Sequence, residues 1–378
     1  MIDILIAGDY CPDYRISKML AVADFAFFED VKKYTSSVDY SIVNLECPTF
    51  DADLSPIKKC GPCLKTSPKA VDALKYAGFD CVTLANNHFR DYGDDGCRLT
   101  IDELNKQQID YVGGGLNLTE AQRILYKVFD SKKVAFVNFC ENEFSIATET
   151  QGGAAPLDII DNVRQISEAR NNADYVVVIV HGGHEYFQYP SPRMKKTYRF
   201  FVDMGADVVV NHHQHCYSGY EVYNSKPIFY GLGNFCFDWD GKRNSIWNEG
   251  FFVILNLKDE DISFEIVPYI QCDDNPIVRL LDSTQKILFE KSLMQINEVI
   301  ADDIKLKEKN DEYINSRRKQ IVGLFSSYHN RYFNAAASRG WIPYMITKAE
   351  VANVLNYVAC EAHRDVVVSA LTAELNQK

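Results

Sequence analysis

Residues 81–93 read CVTLANNHFRDYG and join a short apolar run to a dense polar cluster. The run Cys81–Ala85 has the length and apolar composition of a buried β-strand. Polar side chains of three kinds follow it at once: Asn86, Asn87, His88 and, three residues later, Asp91. Open α/β sheets place their ligand sites just outside the carboxyl ends of the strands. The stretch therefore predicts a strand that ends at a functional site.

The same order of strand and polar cluster recurs through the first two-thirds of the chain. Short β-rich runs alternate with amphipathic helical patterns, which predicts a mostly parallel sheet covered by helices. The predicted strands are Ile4–Ala7, Ser41–Leu45, Cys81–Ala85, Val134–Phe139, Val176–Val180 and Asp207–Val210. Five of them lead into GDY, NLE, NNH, HGGHE and NHHQH. Six of the eight histidines lie in these five segments, so imidazoles and carboxylates are expected at one edge of the sheet.

This convergence predicts a metal site. A single Asn or His after a strand is more often a loop cap than a ligand, but five such ends together favour a shared function. Carboxylate oxygens and imidazole nitrogens suit divalent ions such as Mn, Fe or Zn, with Mg as a further candidate. We therefore expect one or two divalent metal ions, bound where these strands end.

The pattern changes along the chain after residue 210. Runs at 220–223, 227–230, 251–257 and 262–268 follow one another across short polar turns, which is typical of antiparallel hairpins. Beyond residue 272 clear strand alternation stops, and Lys, Glu, Asn, Leu and Ile recur at helical spacing. We expect a first domain over 1–272 and a helical C-terminal extension over 273–378.

Charge and hydropathy exclude several classes of protein. The chain carries 52 acidic against 40 basic residues, a net charge of −12, which argues against a broad nucleic-acid-binding surface. MIDILIAG at residues 1–8 resembles a strand rather than a secretory signal. No apolar run reaches the roughly 18 residues that a membrane span needs. We expect a cytoplasmic protein without a membrane span, and the sequence leaves the oligomeric state open.

The eleven cysteines are expected to be reduced, because the sequence has no export signal. Cys60-Gly61-Pro62-Cys63 is spelled like a thioredoxin redox motif. Its flanks, SPIKK and LKTSPK, look like loops rather than the strand and helix that such a motif requires. We interpret the spacing as coincidence.

The ordered motifs GD, NLE, LANNHxxDYG, HxGxEY, HHxH and LGNFxFD resemble those of the CapA family of poly-γ-glutamate capsule-synthesis proteins. The resemblance covers about residues 2–240, and LANNHFRDYG is its most specific segment. That family is similar in fold to the calcineurin-like metallophosphoesterases. The resemblance implies a four-layer α/β/β/α sandwich, here with a C-terminal helical extension.

The resemblance also implies a set of metal ligands. Asp9 and His215 would bind a first metal, and Glu46 would stand at the bridging carboxylate position. The second metal would be completed by Asn87, His181 and His213.

Roles in chemistry and substrate binding follow from the same resemblance. His88 would be the general acid and Asp91 would orient it, while Glu185 would orient a ligand or position water. The residues expected to contact an anionic small-molecule or polymer substrate are Asn86, His184, Tyr186, His212 and Asn234.

Three departures from the superfamily pattern leave the function open. Its D-x-H motif is here Asp9-Tyr10-Cys11, so a first-metal histidine is missing. Glu46 replaces an aspartate, and His181-Gly182-Gly183 replaces the family's HWG. The leading hypothesis is a metal-dependent phosphoesterase-like hydrolase in capsule or cell-surface polymer synthesis. The alternatives are a non-catalytic polymer-binding component with a vestigial site, and a hydrolase or transferase of amide (γ-glutamyl) bonds.

Overall fold

The structure is a computed structural model that describes residues 1–258, 261–324, 330–343 and 345–359, with isolated positions after these. Its chain contacts divide it into two compact units, Met1–Lys307 and Glu308–Lys378.

The secondary structure alternates strands and helices up to about residue 212, as the sequence predicts. In the described residues the strands are β1 (Ile2–Tyr10), β2 (Tyr40–Leu45), β3 (Cys81–Thr83), β4 (Asp110–Val112), β5 (Gly114–Gly115), β6 (Leu125–Phe129), β7 (Lys132–Cys140), β8 (Gly153–Ala154), β9 (Tyr175–His181), β10 (Val208–His212), β11 (Tyr220–Tyr223), β12 (Lys226–Phe229), β13 (Asn234–Cys236), β14 (Glu249–Lys258), β15 (Asp261–Gln271) and β16 (Val278–Leu280). The helices are α1 (Tyr14–Ala21), α2 (Glu29–Thr35), α3 (Lys69–Ala77), α4 (Gly93–Gln107), α5 (Leu118–Ala121), α6 (Ile159–Asn172), α7 (Pro192–Asp203), α8 (Ser283–Ala301), α9 (Asp303–Leu324), α10 (Arg331–Ser338) and α11 (Lys348–Ala359).

Two mixed sheets carry the first unit. The first sheet has the order β16-β15-β14-β1-β2-β3-β4, with β13 also pairing with β1, and β1 to β4 run parallel. The second has the order β11-β12-β10-β9-β7-β6, and its centre, β7, β9, β10 and β12, is parallel. The two sheets therefore bring several carboxyl strand ends to the same region.

The sheets pack face to face with helices outside them. Because side chains alternate along a strand, Ile4 and Ile6 of β1 enter the core between the sheets, while Leu5 and Ala7 enter a second core. The second core packs the first sheet against α1 to α4. Helices α6 and α7 pack against the second sheet. The layers are thus α/β/β/α, and the predicted fold class is confirmed.

The first unit continues past residue 272. Strand β16 pairs with β15, and α8 buries Phe289, Leu293, Ile296 and Ile300 in the core between the sheets. Helix α9 begins in the first unit and runs into the second, which also contains α10 and α11. The expected boundary between residues 272 and 273 therefore lies inside the first compact unit, and an independent domain over 273–378 stays a prediction. None of the described helices combines the length and hydropathy needed to cross a membrane.

Candidate metal centre

The ends of five strands meet between the two sheets. Asp9 is the second-last residue of β1, Glu46 directly follows β2, and Asn87 lies four residues after β3. From the second sheet, His181 ends β9, and the segment 213–215 directly follows β10. Strand register aligns these ends, since Asp9 pairs with Asn44 across β1 and β2, and His181 pairs with His212 across β9 and β10.

Six of the predicted ligands form one cluster, and five of them fall into two triads that share a carboxylate. Ligand atoms of Glu46, His181 and His213 lie within 4.8 Å of one another, and so do those of Asp9, Glu46 and His215. Glu46 Oε1 is 3.7 Å from Nε2 of both His181 and His215. Each of the five side chains is buried. Glu46 thus occupies the position between two candidate ion sites, as a bridging ligand would.

The sixth predicted ligand, Asn87, joins the triad of the second site. Its Oδ1 lies 3.1 Å from His181 Nε2, and His213 Nδ1 lies 3.0 Å from the same nitrogen. An amide oxygen and two imidazole nitrogens therefore face one small volume. This is a donor set that divalent transition metals accept.

The Glu46 carboxyl is fully buried, and neither of its oxygens has a hydrogen-bond partner among the described residues. Burial, and then the negative charge of Asp9, raises the pKa of Glu46 well above its usual range. An unpaired buried carboxylate costs several kcal/mol, roughly, unless a cation or a proton compensates it. The residues present therefore fit a divalent metal.

The imidazoles are held in the neutral form that metal binding requires. Burial, followed by the neighbouring histidines, lowers the pKa of His181 well below its ordinary value. Burial lowers the pKa of His213 to about 3 and also lowers that of His215, although Asp9 opposes the change at His215. These lone pairs stay free of protons near neutral pH.

Asn44 and Asn234 orient the ligands. The Asn44 amide donates to Asp9 Oδ1 at 2.7 Å and lies 3.3 Å from His181 Nδ1. The Asn234 Oδ1 lies 2.9 Å from His215 Nδ1, so it accepts from that ring. Asn234, which we predicted to contact substrate, is thus placed to support a ligand. The hydrogen bond that His215 Nδ1 donates to Asn234 fixes the ring orientation and leaves Nε2 of His215 free for a metal.

The predicted general acid lies beside this cluster. His88 Nδ1 is 2.7 Å from Asp91 Oδ2, in the orientation that the sequence predicted for the pair. Asp91 is fully buried, and Leu64 N also donates to its Oδ2 at 2.7 Å. The Lys59 ammonium forms an ion pair with the other carboxylate oxygen.

Other predicted site residues lie at the periphery. His212 Nε2 lies 3.0 Å from the main-chain oxygen of Ala7, which it contacts instead of the triads. Asn86 donates to Asn44 and to Leu45 O, and accepts from His88 N. In the structure, His212 and Asn86 therefore form hydrogen bonds that hold neighbouring segments of the protein together.

The 184–186 loop lies at the opening of the site. His184 is half-buried with its ring 6.3 Å from that of Phe187, and Glu185 is exposed. The charge of Glu185 contributes to the raised pKa of Glu46, so the two carboxyl groups interact. Tyr186 stacks on Trp247, and the Lys242 ammonium lies 4.1 Å from its ring centroid. The Tyr186 ring also lies 6.2 Å from that of His215, so it stands beside the first candidate ion site.

The residues that replace the missing D-x-H histidine do not act as ligands. The Tyr10 hydroxyl donates to Ala70 O at 3.0 Å, in the core on the helix side of the first sheet. Burial, and then a hydrogen bond with Cys47, raises the pKa of the Cys11 thiol well above its usual range. A thiol that stays protonated is a poor metal ligand. The first candidate site therefore rests on Asp9, Glu46 and His215.

Three functional residues escaped the sequence reasoning: Asn44, Lys59 and Glu143. Loss of solvent around its carboxyl raises the pKa of Glu143, against the opposing influence of the nearby Asn87 and His88. Glu143 follows the predicted strand Val134–Phe139, so the strand-end rule would have found it. Asn44 was signalled by its position as a polar residue inside an apolar strand. Lys59 lies in the loop containing the CGPC segment, whose cysteines are free thiols.

The four-layer sandwich and the carboxylate–imidazole cluster between its sheets define an α/β/β/α protein with a candidate divalent-metal centre. The family profile described as "Bacterial capsule synthesis protein PGA_cap" matches residues 3–239. Because this match spans more than half of the chain, the protein belongs to that family, which agrees with the resemblance in the sequence motifs.

Named relatives are similar over 64% of the chain. The chain is 37% identical to the capsule biosynthesis protein CapA of Bacillus anthracis over 250 residues, which cover 64% of this chain and 60% of that protein. It is 36% identical to the PGA biosynthesis protein CapA of Bacillus subtilis, over 64% of each. Both matches thus span less than two thirds of the relative's length. A crystal structure described as a novel phosphatase from Mycoplasma pneumoniae aligns with 72% of this chain and 94% of its own, at 15% identity and a TM-score of 0.47.

Proposed function

We propose that this protein is a divalent-metal-dependent hydrolase of phosphoesters that acts in the synthesis of a capsule or another cell-surface polymer. The observation that carries the proposal is the buried Glu46 carboxylate without hydrogen bonds, shared by two triads beside the His88–Asp91 pair. The role in polymer synthesis is supported by the names of the family and of its Bacillus relatives.

The metal-binding residues in this proposal are those of the cluster. Asp9, Glu46 and His215 would hold one ion, and Glu46, Asn87, His181 and His213 a second. When bound, divalent ions supply Lewis-acid polarisation and neutralise the charge of a phosphoryl group. This neutralisation matters because the protein itself carries a net charge of −12.

His88 is suited to protonate a leaving group. Its Nδ1 is held by Asp91, and no described residue hydrogen-bonds its Nε2. The ring is 7% exposed, so a substrate can reach it while bulk water has little access. An imidazole fixed at one nitrogen presents the other in a defined direction, which is the geometry general acid catalysis needs. Asp91 acts only by orienting the ring.

The opening of the site favours an anionic, extended substrate. Lys242 lies over Tyr186, and its charge contributes to the lowered pKa of His215, so a cation stands near the first candidate ion site. Tyr186 and Trp247 form an apolar wall beside it. A substrate with a second anionic group outside the metal site would pair with Lys242.

The experiment is a metal-dependent activity assay with generic phosphoesters. Purified protein is measured with Mn²⁺ and with EDTA, and His88→Ala and His181→Ala are compared with wild type. We expect the first variant to keep its metal and lose roughly 10²-fold or more in rate, and the second to lose metal as well. His363→Ala, an exposed histidine of the second unit, is the matched control. Variants as active as wild type would refute the assignment.

A second candidate function is non-catalytic binding of an anionic polymer. It is favoured by the replacement of the first-site histidine, since Tyr10 and Cys11 both lie in the core rather than at the site. Metal analysis separates the two proposals: a protein that purifies with little metal, gains none from Mn²⁺ and hydrolyses nothing would support binding alone. Hydrolysis or transfer of a γ-glutamyl amide is a third candidate, and amide substrates in the same assay test it.

A further inference from the structure

The Lys59 ammonium lies inside the protein among groups of the candidate site. Its side chain is 4% exposed. It forms an ion pair with Asp91 Oδ1, lies 3.3 Å from the main-chain oxygen of Asn87 and is 3.2 Å from His88 Nδ1. One cation therefore contacts the residue that orients the acid, the acid itself and the backbone of a candidate ligand.

The loop that contains Lys59 is hydrogen-bonded to Asp91 through its main chain. Ile57 N donates to Asp91 O at 2.9 Å, and Leu64 N donates to Asp91 Oδ2 at 2.7 Å. Between them the chain forms no helix or strand, and it contains the CGPC sequence. The loop 57–64 thus surrounds Asp91 and places the Lys59 ammonium in contact with its carboxylate.

Electrostatics explains what the contact does. Asp91 is fully buried, and a buried carboxylate that loses its counter-charge is free to rotate toward other donors or to draw in water. Lys59 occupies Oδ1, which leaves Oδ2 facing His88 Nδ1 at 2.7 Å. Because ammonium is only a donor, it also fixes the Asn87 carbonyl and with it the turn that holds both Asn87 and His88.

We infer that Lys59 is a positioning residue, which locks Asp91 and the Asn87–His88 turn so that His88 faces the leaving group of the substrate. The inference rests on the proposed phosphoesterase function, in which His88 is the general acid. Lys59 itself transfers no proton. Replacing Lys59 should therefore slow the reaction only for substrates whose leaving group must be protonated by a correctly oriented His88.

The test compares leaving groups in the metal-loaded protein. Lys59→Met keeps a long unbranched side chain and removes its charge, whereas Lys59→Arg keeps the charge. Lys58→Met changes the exposed neighbouring lysine and is the control. We expect Lys59→Met to lose about 10- to 100-fold in kcat with phenyl phosphate, whose leaving group needs an acid, and less than about 3-fold with 2,4-dinitrophenyl phosphate, whose leaving group does not. His88→Ala should show the same contrast, and Lys59→Arg should recover part of it.

Two results would overturn the inference. An equal loss with both substrates would indicate general damage to the site, and an unchanged rate with phenyl phosphate would indicate that Lys59 is dispensable. If Lys59→Met does not fold, Lys59→Gln, which keeps a donor without the charge, replaces it.

A structural readout separates this inference from the proposed function. If wild type hydrolyses no phosphoester, crystal structures of wild type and Lys59→Met still decide whether Lys59 positions the pair. We expect the Asp91 carboxylate to rotate and the His88 ring to leave its orientation in the variant, with the rest of the first sheet unchanged. Identical Asp91 and His88 positions in the two crystals would reject the role of Lys59 whatever the protein hydrolyses.

Discussion

In the protein without metal, the buried Glu46 carboxylate lowers the free energy of unfolding. Its carboxylate is buried without a hydrogen bond, and burial raises its pKa well above the usual range. The folded state therefore binds a proton more tightly than the unfolded state, so the free energy of unfolding falls as pH rises above about 4.5.

The substitution Glu46→Gln should consequently raise the stability of the metal-free protein while it weakens metal binding. In EDTA at pH 7 we expect the variant to be more stable than wild type by roughly 1 to 3 kcal/mol, because a neutral amide is less costly to bury than an unpaired carboxylate. Bound Mn²⁺ should fall sharply. Urea unfolding and metal analysis measure the two effects. Glu298→Gln, which changes an exposed carboxylate on α8, should change stability little. A metal-free Glu46→Gln protein that is less stable than wild type would contradict the prediction.

His212 predicts a pH dependence of the opposite sign. Burial lowers its pKa to about 4, against an ordinary value near 6.5. Between these values the unfolded state binds the proton and the folded state does not, so this histidine makes the folded protein less stable as pH falls from about 6.5 to 4. Its contribution approaches 1.4 kcal/mol per pH unit, roughly.

The measurement is the difference in urea stability between wild type and His212→Asn in EDTA, followed from pH 7 to pH 4. Taking the difference isolates His212 from Glu46 and from the other buried histidines. We expect wild type to lose more stability than the variant over this range. Parallel curves would mean that His212 takes up its proton in the folded state as easily as in the unfolded one.

The sequence indicated the ligands but not what supports them. Asp9, Glu46 and His181 were expected at one edge of a sheet because they follow predicted strands, and the family resemblance implied their roles as ligands. The structure places them at strand ends of two facing sheets. Asn44 and Lys59 could not be assigned in this way, because their roles depend on which atoms they reach across 35 and 32 residues of sequence. Such contacts are set by register and loop course, which residue types alone do not fix.

At the scale of elements, Arg15 joins helix α1 to the segments that follow two strands of the first sheet. From the start of α1 its guanidinium bonds both oxygens of Asp238, which follows β13, at 2.9 Å. The same group donates to the main-chain oxygens of Cys272, Asp273 and Asp274, just after β15. Burial alone would raise the pKa of Asp238, but the hydrogen bonds from Arg15 outweigh it and lower that pKa.

Arg15→Met should therefore destabilise the protein by about 3 kcal/mol, since it leaves a buried carboxylate with only part of its partners. The effect should shrink as pH falls below about 4, where Asp238 becomes protonated in the unfolded state and then in the folded state. Urea unfolding at pH 7 and pH 3.5 measures both. Arg98→Met removes an exposed ion pair on α4 as the control and should cost less than about 1 kcal/mol. Equal losses in the two variants would contradict the prediction.

The order of the strands was less predictable than their existence. Alternating strands and helices predicted the parallel strands, and the later hairpins were also expected. The sequence did not show that β14 would lie beside Ile2–Ile6 of β1, or that β13 would pair with Asp9 and Tyr10 further along the same strand. A side-chain carbon at Gly8 would lie 1.9 Å from Gly233 O, so the close approach of β13 depends on a glycine. That requirement appears only once the two strands are placed together.

At the scale of the whole molecule, the candidate metal centre links the two sheets. Asp9, Glu46 and Asn87 come from the first sheet, and the three histidines come from the second. A bound ion therefore adds a connection across the core that the metal-free protein lacks. The length of the chain suggested two parts, and its motifs predicted that the chemistry would lie in the first, but only the facing of the sheets explains why ligands from residues 9 to 215 meet.

Metal should consequently stabilise the first unit as a whole and not only order its site. A ligand that binds the folded state alone raises the free energy of unfolding by about 2.7 kcal/mol at 100 times its dissociation constant. We expect Mn²⁺ to raise the melting temperature of wild type by several degrees above its value in EDTA, and calorimetry to show a single shifted transition for the first unit. Glu46→Gln should show almost no change in melting temperature, because it removes the ligand common to both triads, whereas the melting temperature of Glu298→Gln should rise like that of wild type. If Mn²⁺ binds in stoichiometric amounts yet leaves the transition where EDTA places it, then the unfolded chain binds the ion as tightly as the folded protein does, and the cluster around Glu46 is not the Mn²⁺ site.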